Sequence, residues 1–379
     1  FFSVSIGLWG NFRQLWLQDN DFSIMQISNV LSLGTLASVL GILFIGKFVS
    51  LDKLKNMITF SISVKFINSM ILYFLNKTGL NAYIDIFTVL DIVLEYAIVT
   101  SIYPLITTII KGNTIYSKRK LTQYLFEDIG ILFGGILIGK SIFGINVNYN
   151  FCLMISNLFL LVSILIMLSI KTNKIEEQIN QPKSILEFIF KNKIIKMYLV
   201  YAFFSGLAWS TGLGLKILTL KNYFNFSDGS ATTYILIIEL IGDVFGIVAL
   251  KYLTPKNDYL TITIKFGIRF LGYCIAFISN NLLLIFIAIT WSLFIGPAYE
   301  NVCDGPYVNS VDKENQLKFT NLLYVIKFLG ESVGIFFCGV MYELGLKYMF
   351  GLSAFFMIFQ ITLAYLLIYM RTHIKVFSK

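Results

Sequence analysis

The sequence GILFGGILIG at Gly130–Gly139 has a counterpart, GESVGIFFCG, at Gly330–Gly339, and three glycines of the two segments align at a constant offset of 200 residues. Trp9 and Trp209 share this offset. Glycines four residues apart on one helix let two helix backbones approach closely, so each segment is typical of a packed helix. The shared offset indicates an internal repeat.

Two further matches support the repeat. Pro104 and Pro297 are each followed seven residues later by a charged residue and a glycine, and they differ by 193 positions. The turns Asp21–Ser23 and Asn225–Ser227 each end on a serine that is suited to cap the next helix. Because these matches keep the same order along the chain, we expect two homologous halves.

Composition excludes an ordinary soluble fold. The 379 residues are 57% hydrophobic and 13% charged, whereas a soluble domain has about 45–50% apolar and about 25% charged residues. Twelve apolar runs, each near the length that crosses a bilayer, are called spans 1 to 12. They lie near residues 1–18, 26–46, 57–75, 84–110, 121–143, 149–170, 194–218, 231–250, 260–279, 282–303, 320–342 and 348–370.

Polar stretches divide these spans into domains. The longest, residues 171–193, separates six spans from six, so we predict an N-terminal half at 1–170, a cytoplasmic linker, a C-terminal half at 194–370 and a tail at 371–379. The first run opens at Phe1 without a methionine, and we therefore expect that a few residues precede it. A cleaved signal peptide is not indicated, because no basic leader or small-residue cleavage site is visible.

Basic residues are distributed unequally between the connectors. Those expected on one side, with the tail, carry 20 Lys and Arg, and the opposite connectors carry 4. The positive-inside rule then places both termini in the cytoplasm. This asymmetry explains the net charge of +9 without a nucleic-acid partner, and we expect a multi-pass monomer in a bacterial cell membrane that contacts the lipid bilayer.

Metal and cofactor chemistry is not indicated. The chain has one histidine, His373, and its cysteines lack Cys-x-x-Cys spacing: Cys152, Cys274, Cys303 and Cys338. We therefore expect no metal site, no disulfide framework and no cofactor. The sequence also lacks a Walker A motif, which argues against ATP-driven transport.

The chain as a whole resembles the major facilitator superfamily. It shares two six-helix halves, cytoplasmic termini and a long central linker, and GKFVSLDKLK at Gly46–Lys55 keeps the first glycine and the basic character of that family's motif between helices 2 and 3. Span 5 is similar to the glycine-rich helix of the family's antiporters, with Gly135 where a proline is usual. The resemblance implies an all-α polytopic fold of twelve transmembrane helices that works by alternating access. Plain helix packing is the other interpretation of the glycines.

Charged residues inside the spans form the first group of candidates. With the termini inside, Arg13 of span 1 and Asp91 of span 4 lie at similar depth, and Glu95 follows Asp91 by one helical turn. We expect Arg13, Asp91 and Glu95 to form one cluster that couples transport to protons, since a neighbouring cation changes a carboxyl group's affinity for a proton. A static ion pair between spans 1 and 4 is the alternative. Lys65 lies near the middle of span 3, and the sequence indicates no partner for it.

A second group is predicted to gate or to stabilise the helices. Glu239 and Asp243 repeat the four-residue spacing and are expected to pair with Lys265 or Arg269. Glu127 and Asp128 lie beside three basic residues, where they form a cytoplasmic gate or cap a helix. The group comprises Glu127, Asp128, Gly130, Gly134, Gly139, Glu239, Asp243 and Gly334.

A third group is predicted to contact substrate. The resemblance implies that helices 1, 4, 7 and 10 line a central cavity, where aromatic and polar side chains are able to hold a small solute. Aromatic belts at the membrane interfaces explain some of the same residues. The candidates are Asn11, Arg13, Gln14, Trp16, Glu95, Tyr103, Trp209, Trp291, Tyr299 and Glu300.

These features predict a secondary active transporter, not an enzyme. The glycine-rich span 5 favours proton-coupled export of a small organic solute. Two alternatives stay open: a proton-coupled importer of a small, anionic metabolite, and a lipid flippase on the same scaffold.

Overall fold

A computed structural model describes residues 1–10, 12–48, 53–78, 83–109, 115–138, 141–142, 145–146, 148–170, 193–252, 258–294 and 313–373. Within these ranges the chain forms fourteen helices and one two-stranded hairpin. In chain order they are α1 (Phe2–Trp9), α2 (Arg13–Asp19), α3 (Ile24–Phe48), α4 (Leu54–Thr78), α5 (Ile84–Ile109), α6 (Ile115–Leu137), β1 (Ser141–Ile142), β2 (Ile145–Asn146), α7 (Tyr149–Ser169), α8 (Lys193–Leu213), α9 (Lys216–Phe224), α10 (Asp228–Tyr252), α11 (Asp258–Ile278), α12 (Leu282–Phe294), α13 (Lys313–Leu344) and α14 (Leu346–His373).

These helices supply the twelve spans. Span 1 consists of α1 and α2, span 7 consists of α8 and α9, and the described residues of each remaining span form one helix. Among the described residues, six stretches are long and apolar enough to cross a membrane, judged by length and composition: Ile24–Leu43, Leu54–Thr78, Tyr149–Ser169, Lys193–Phe224, Leu322–Leu344 and Leu346–Met370. Within the part of the chain that the structure describes, the repeat-related spans 1 and 7 are the two that are interrupted.

Some predicted boundaries were wrong. Span 5 was expected at 121–143, but α6 starts at Ile115 and ends at Leu137, and Ser141–Ile142 pairs with Ile145–Asn146 in an antiparallel hairpin. The apolar pattern does not distinguish a helix end from an apolar strand, so it extended the helix through β1. Of span 10, the structure describes Leu282–Phe294, and the rest of the predicted run lies outside the described residues.

The two predicted turns are confirmed in detail. Asp21 and Asn225 both adopt left-handed backbone conformations, with φ of 65° and 54°, which Asp and Asn tolerate better than most residues. Ser23 then caps α3: its hydroxyl accepts from the Gln26 N–H at 3.2 Å, and its own N–H donates to the Gln26 side chain at 2.8 Å. This reciprocal pair is a capping box.

Contacts divide the chain into two compact units. Unit 1 comprises Phe1–Gln178 and Lys216–Leu236, and unit 2 comprises Ile179–Leu215 and Ile237–Lys379. Unit 1 therefore includes α9 and the first residues of α10.

Corresponding spans pack in the same pairs within each unit. Span 1 packs on spans 5 and 6, as span 7 packs on spans 11 and 12. Span 3 contacts spans 4 and 6, as span 9 contacts spans 10 and 12. This shared pattern is the pseudo-symmetry that the sequence repeat predicts.

Candidate ion-coupling site

Unit 1 contains a buried cluster of four charged side chains. The Arg13 Nη2 donates to Asp91 Oδ2 at 2.7 Å and to Glu95 Oε2 at 2.8 Å. The structure thus brings together the three residues that the depth argument placed in one cluster. Arg13 starts α2, and both acids lie one turn apart on α5, so the cluster joins spans 1 and 4.

Lys65 of α4 is the fourth member. Its Nζ lies 2.7 Å from Asp91 Oδ1 and 3.3 Å from Glu95 Oε2, and it also donates to the Asp91 main-chain oxygen at 3.2 Å. Sequence reasoning found no partner for Lys65, because the rotation of span 3 about its axis is not fixed by an apolar run. Its position at mid-span was the one available signal.

The two acids differ in how tightly they are held. Asp91 has a fully buried side chain and accepts from three side chains, since Trp9 Nε1 donates to Oδ2 at 3.1 Å in addition to the two cations. The Glu95 side chain is 14% exposed, and its two cationic contacts both reach Oε2. Glu95 is therefore the more exposed and less tightly held of the two acids.

The break in span 1 lies directly beside Glu95. Helix α1 ends at Trp9 and α2 begins at Arg13. Between them, the Phe12 N–H donates to the Trp9 carbonyl oxygen at 3.1 Å, an i to i−3 hydrogen bond of the kind found in 3₁₀-helices. A methyl group placed on Gly10 would lie 3.5 Å from Glu95 Oε1. Interrupted helices of this kind form binding sites in membrane transporters.

Formal charges in the cluster balance. Arg13 and Lys65 contribute two positive charges, and Asp91 and Glu95 contribute two negative charges. All four side chains are at most 14% exposed. Buried charges are tolerated only when they are paired and hydrogen-bonded, and removal of one partner leaves a strongly unfavourable unpaired charge. Gain or loss of a proton by this cluster therefore has a large energetic effect on its surroundings.

The other predicted substrate contacts have varied locations. Trp16 is buried, packs edge-on against Trp9 with ring centroids 5.1 Å apart, and donates to Asn150 Oδ1 at 3.3 Å. Gln14 is half-buried, and the Trp291 side chain is 53% exposed. Asn11, Tyr299, Glu300 and the Tyr103 side chain lie outside the described residues.

Unit 2 carries a different arrangement around its equivalent tryptophan. Arg269 of α11 is 5% exposed and lies over the Trp209 ring, 4.3 Å from the centroid. Glu239 is partly buried. The side chains of Asp243 and Lys265 lie outside the described residues, so their predicted pairing stays a prediction.

Glycines mark the closest helix contacts in both units. Methyl groups on Gly7 of α1 or Gly130 of α6 would each collide with backbone of the other helix. The same holds for Gly206 of α8 and Gly330 of α13 in unit 2. The sequence repeat predicted the contribution of Gly130. Its partner Gly7 was missed, because Gly7 and Gly10 are three residues apart in span 1 and do not have the four-residue spacing of a packing motif.

The next glycine of each motif has different neighbours in the two units. A Cβ on Gly134 would lie 2.5 Å from the Phe12 ring, whereas one on Gly334 would lie 2.7 Å from the Leu207 carbonyl oxygen. Glu127 and Asp128, predicted as a gate or cap, are partly buried on α6. Gly139 lies outside the described residues.

A second polar cluster, which sequence reasoning missed, lies within unit 1, where α9 and the start of α10 contact α2 and α7. Lys221 Nζ lies 2.9 Å from Asp228 Oδ1 and 3.6 Å from Asp19 Oδ1, and the Tyr149 hydroxyl donates to Asp228 Oδ2. Gln18 Nε2 donates to Asn222 Oδ1 at 3.3 Å. This outer cluster joins residues about 200 positions apart, which sequence spacing alone does not connect.

No family model and no curated protein matches the sequence. Solved structures do match the fold. The nucleoside transporter NupG is 14% identical, covers 98% of this chain and 97% of its own, and has a TM-score of 0.66. A bacterial homologue of the human lysosomal transporter Spinster is 14% identical over 97% and 93% of the two chains, with a TM-score of 0.64.

The fucose:proton symporter FucP of E. coli is 12% identical over 97% of this chain and 95% of its own, with a TM-score of 0.65. Likeness at this level of identity is a likeness of fold. The chain has the fold of major facilitator superfamily transporters, an all-α membrane fold of twelve transmembrane helices in two pseudo-symmetric six-helix halves.

Proposed function

We propose that this protein is a secondary active transporter of a small organic solute and that it is coupled to protons through Glu95. The observation that carries the proposal is the buried, charge-balanced cluster of Arg13, Lys65, Asp91 and Glu95. The fold supports transport in general, and one structural relative bears the name of a proton symporter.

Glu95 is favoured over Asp91 as the proton carrier because of its surroundings. Asp91 is fully buried and fixed by Trp9, Arg13 and Lys65. Glu95 is partly exposed and uses one carboxylate oxygen for both cations. Protonation of Glu95 therefore breaks fewer contacts, and solvent reaches it more easily.

Protonation of Glu95 also favours a change of conformation. A neutral Glu95 leaves the buried cluster with one uncompensated positive charge, which is unfavourable in a dry environment. A conformation that hydrates the cluster or brings a new negative group is then favoured, and alternating access requires such a shift between two states.

The glycines of span 5 do not distinguish export from import. The expectation of export rested on the glycines of span 5, and Gly130 lies at the backbone contact between α1 and α6. Helix packing accounts for this glycine, so it gives no support to export over import.

The test is proton movement in proteoliposomes that hold a pH-sensitive dye, screened with a panel of small solutes under an imposed pH gradient. We expect at least one solute to drive proton flux in the parent protein and in Glu343→Gln, a control at an exposed glutamate. Glu95→Gln keeps the shape of the side chain but cannot titrate, so it should exchange solute without proton flux. Normal proton flux by Glu95→Gln would refute coupling at this residue.

We also propose that both termini are cytoplasmic, in a bacterial cell membrane, because basic residues are concentrated in the corresponding connectors. Single cysteines at exposed Lys53 and Lys193 should react with a membrane-impermeant reagent only after the membrane is opened. Cysteines at exposed Asn148 and Asn280 should react in intact cells. The reverse pattern would invert the orientation.

A further inference from the structure

We infer that the cluster is also the binding site for an anionic group of the solute, which takes the place of the Glu95 carboxylate when Glu95 is protonated. This inference rests on the proposed role of Glu95 and adds the substrate class: a small organic anion, carried together with one proton. In the exchange, a proton from water binds a Glu95 carboxylate oxygen, the contacts of Glu95 with the two cations are lost, and an oxygen of the solute anion accepts from them instead.

Charge balance is the first argument. The cluster holds two cations and two anions, all buried or nearly so. Once Glu95 is neutral, a neutral solute leaves the excess positive charge uncompensated, whereas a monoanion restores balance. Because an unpaired buried charge costs much more than a paired one, the protonated cluster selects an anion.

Geometry is the second argument. Arg13 Nη2 and Lys65 Nζ converge on one atom, Glu95 Oε2, at 2.8 and 3.3 Å. Withdrawal of that oxygen leaves two cationic donors that point to the same position, which is the arrangement that binds a carboxylate, sulfonate or phosphate oxygen.

The Arg13 side chain also has a hydrogen-bond donor, its Nε, that is not used within the cluster. The Arg13 side chain is 6% exposed, and among the described residues its buried Nε has no hydrogen-bond acceptor. Buried donors without partners are rare in folded proteins. A solute with two oxygens on its anionic group can occupy this donor in addition to Nη2, since a guanidinium binds oxyanions by two parallel bonds.

The charged groups on the helices that pack against α5 define the surroundings of Glu95. The charged groups in contact with it are Arg13 of α2 and Lys65 of α4, and Asp91 precedes it by one turn on α5. Helix α3, which packs on α5, has no charged residue among its described side chains at 24–43. Helix α6, a minor neighbour, contributes Glu127 and Asp128 in its described part.

The experiment compares one anion with a neutral molecule of the same shape. The purified full chain in detergent is titrated with methanesulfonate, which is charged throughout the pH range used, and with methanesulfonamide, and binding is followed by the shift in thermal unfolding midpoint. For the parent protein we expect methanesulfonate to bind more tightly at about pH 5.5 than at about pH 7.5, because its binding is linked to the uptake of one proton. We expect methanesulfonamide to bind about tenfold more weakly than methanesulfonate, the order expected when a charge-assisted hydrogen bond is lost.

Two variants separate the site from general electrostatic attraction. Glu95→Gln mimics the protonated cluster, so it should bind methanesulfonate equally at both pH values. The double variant Arg13→Gln/Glu95→Gln is charge-balanced, with Lys65 and Asp91 remaining, so it should fold and yet lose methanesulfonate binding. Glu343→Gln should behave like the parent protein.

Methanesulfonate binding that is independent of pH in the parent protein, or that persists in the double variant, would overturn the inference. So would equal binding of the neutral probe, or binding of neither probe to Glu95→Gln. These measurements use no proton gradient and are therefore independent of the flux assay. Proton flux lost in Glu95→Gln without anion binding would refute the anion site and leave proton coupling in place.

Discussion

Unit 1 and unit 2 present the same residue type at repeat-related positions and surround it differently. Trp9 donates a hydrogen bond to Asp91, within a cluster of two acids and two cations. Trp209 instead offers its ring face to Arg269. Helix α12, which corresponds to α5, has no acidic residue within Leu282–Phe294. The two units thus share their helix packing, whereas the buried acids of α5 have no counterpart in the described part of α12.

The comparison indicates that helix packing and buried charged groups differ independently between the two units. Packing at Gly130 and Gly330 is nearly the same in both units, because backbone contact leaves little freedom to change. The polar cluster is free to differ, because a charge is tolerated wherever a partner is present.

Removal of one cation from the unit 1 cluster should have the largest effect on stability. Lys65→Met leaves two buried acids with Arg13 alone, so we expect the free energy of unfolding to fall by about 3–5 kcal/mol. Titration with a denaturing detergent measures this change. Lys193→Met, at an exposed lysine, should have almost no effect.

The double variant Lys65→Met/Glu95→Gln tests the cause of that loss. It restores neutrality with Arg13 and Asp91 as the remaining pair, so it should recover much of the lost stability. A double variant that is less stable than Lys65→Met would show that packing of the lysine stem, and not charge balance, is what matters.

Substitution of the close-contact glycines should affect both units alike. In Gly130→Ala and Gly330→Ala the added methyl group meets backbone atoms of the neighbouring helix, and we expect each to lower unfolding stability by about 1–3 kcal/mol. Gly267→Ala is the matched control, because nothing lies within 4 Å of the added carbon. A large loss in one unit and none in the other would contradict the shared packing.

Substitution of Trp9 and of Trp209 should lower the unfolding stability by different amounts. Trp9→Phe removes the hydrogen bond to Asp91, so we expect a loss of about 1–2 kcal/mol of stability. Trp209→Phe keeps a ring face for Arg269, and we expect a smaller loss, below about 1 kcal/mol. Thermal unfolding of both variants at equal protein concentration makes the comparison, and equal losses would show that the indole N–H contributes little.

The outer cluster should respond least. Lys221 and Asp228 are each more than a fifth exposed, and exposed ion pairs contribute about 0–1 kcal/mol. Lys221→Met should therefore cost less than about 1 kcal/mol, and the loss should shrink as salt is added. The effect of Lys65→Met, at a buried site, should change little with salt. A salt-independent loss at Lys221 would mean that the outer cluster is drier than its exposure indicates.

Sequence reasoning located the core of the site because depth in the membrane follows from residue counting. Arg13, Asp91 and Glu95 were placed together in this way. Lys65 and Trp9 were not, because their contacts depend on the rotation of two helices about their axes. The outer cluster of Asp19 and Lys221 was missed for another reason: the two residues are distant in sequence, and each lies near the end of a short helix where a charged residue is common.

The fold was predictable to a similar extent. Twelve spans, two halves and the serine-capped turns follow from apolar runs and repeat spacing. The hairpin after α6 does not, because short apolar strands resemble helix ends. The interruptions of spans 1 and 7 also escape the apolar pattern, because the hydrophobic run continues through Gly10 and Gly214.

The left-handed residues Asp21 and Asn225 bear on the descent of the protein. Each lies two residues before the serine that opens the second helix of its half, so the two halves share this turn conformation. At both positions a β-branched residue is strongly disfavoured, so natural substitutions should be confined mainly to Asn, Asp and Gly. Distant relatives whose overall sequence similarity has been lost should therefore still be recognisable by a paired Asn, Asp or Gly two residues before the serine that opens the second helix of each half.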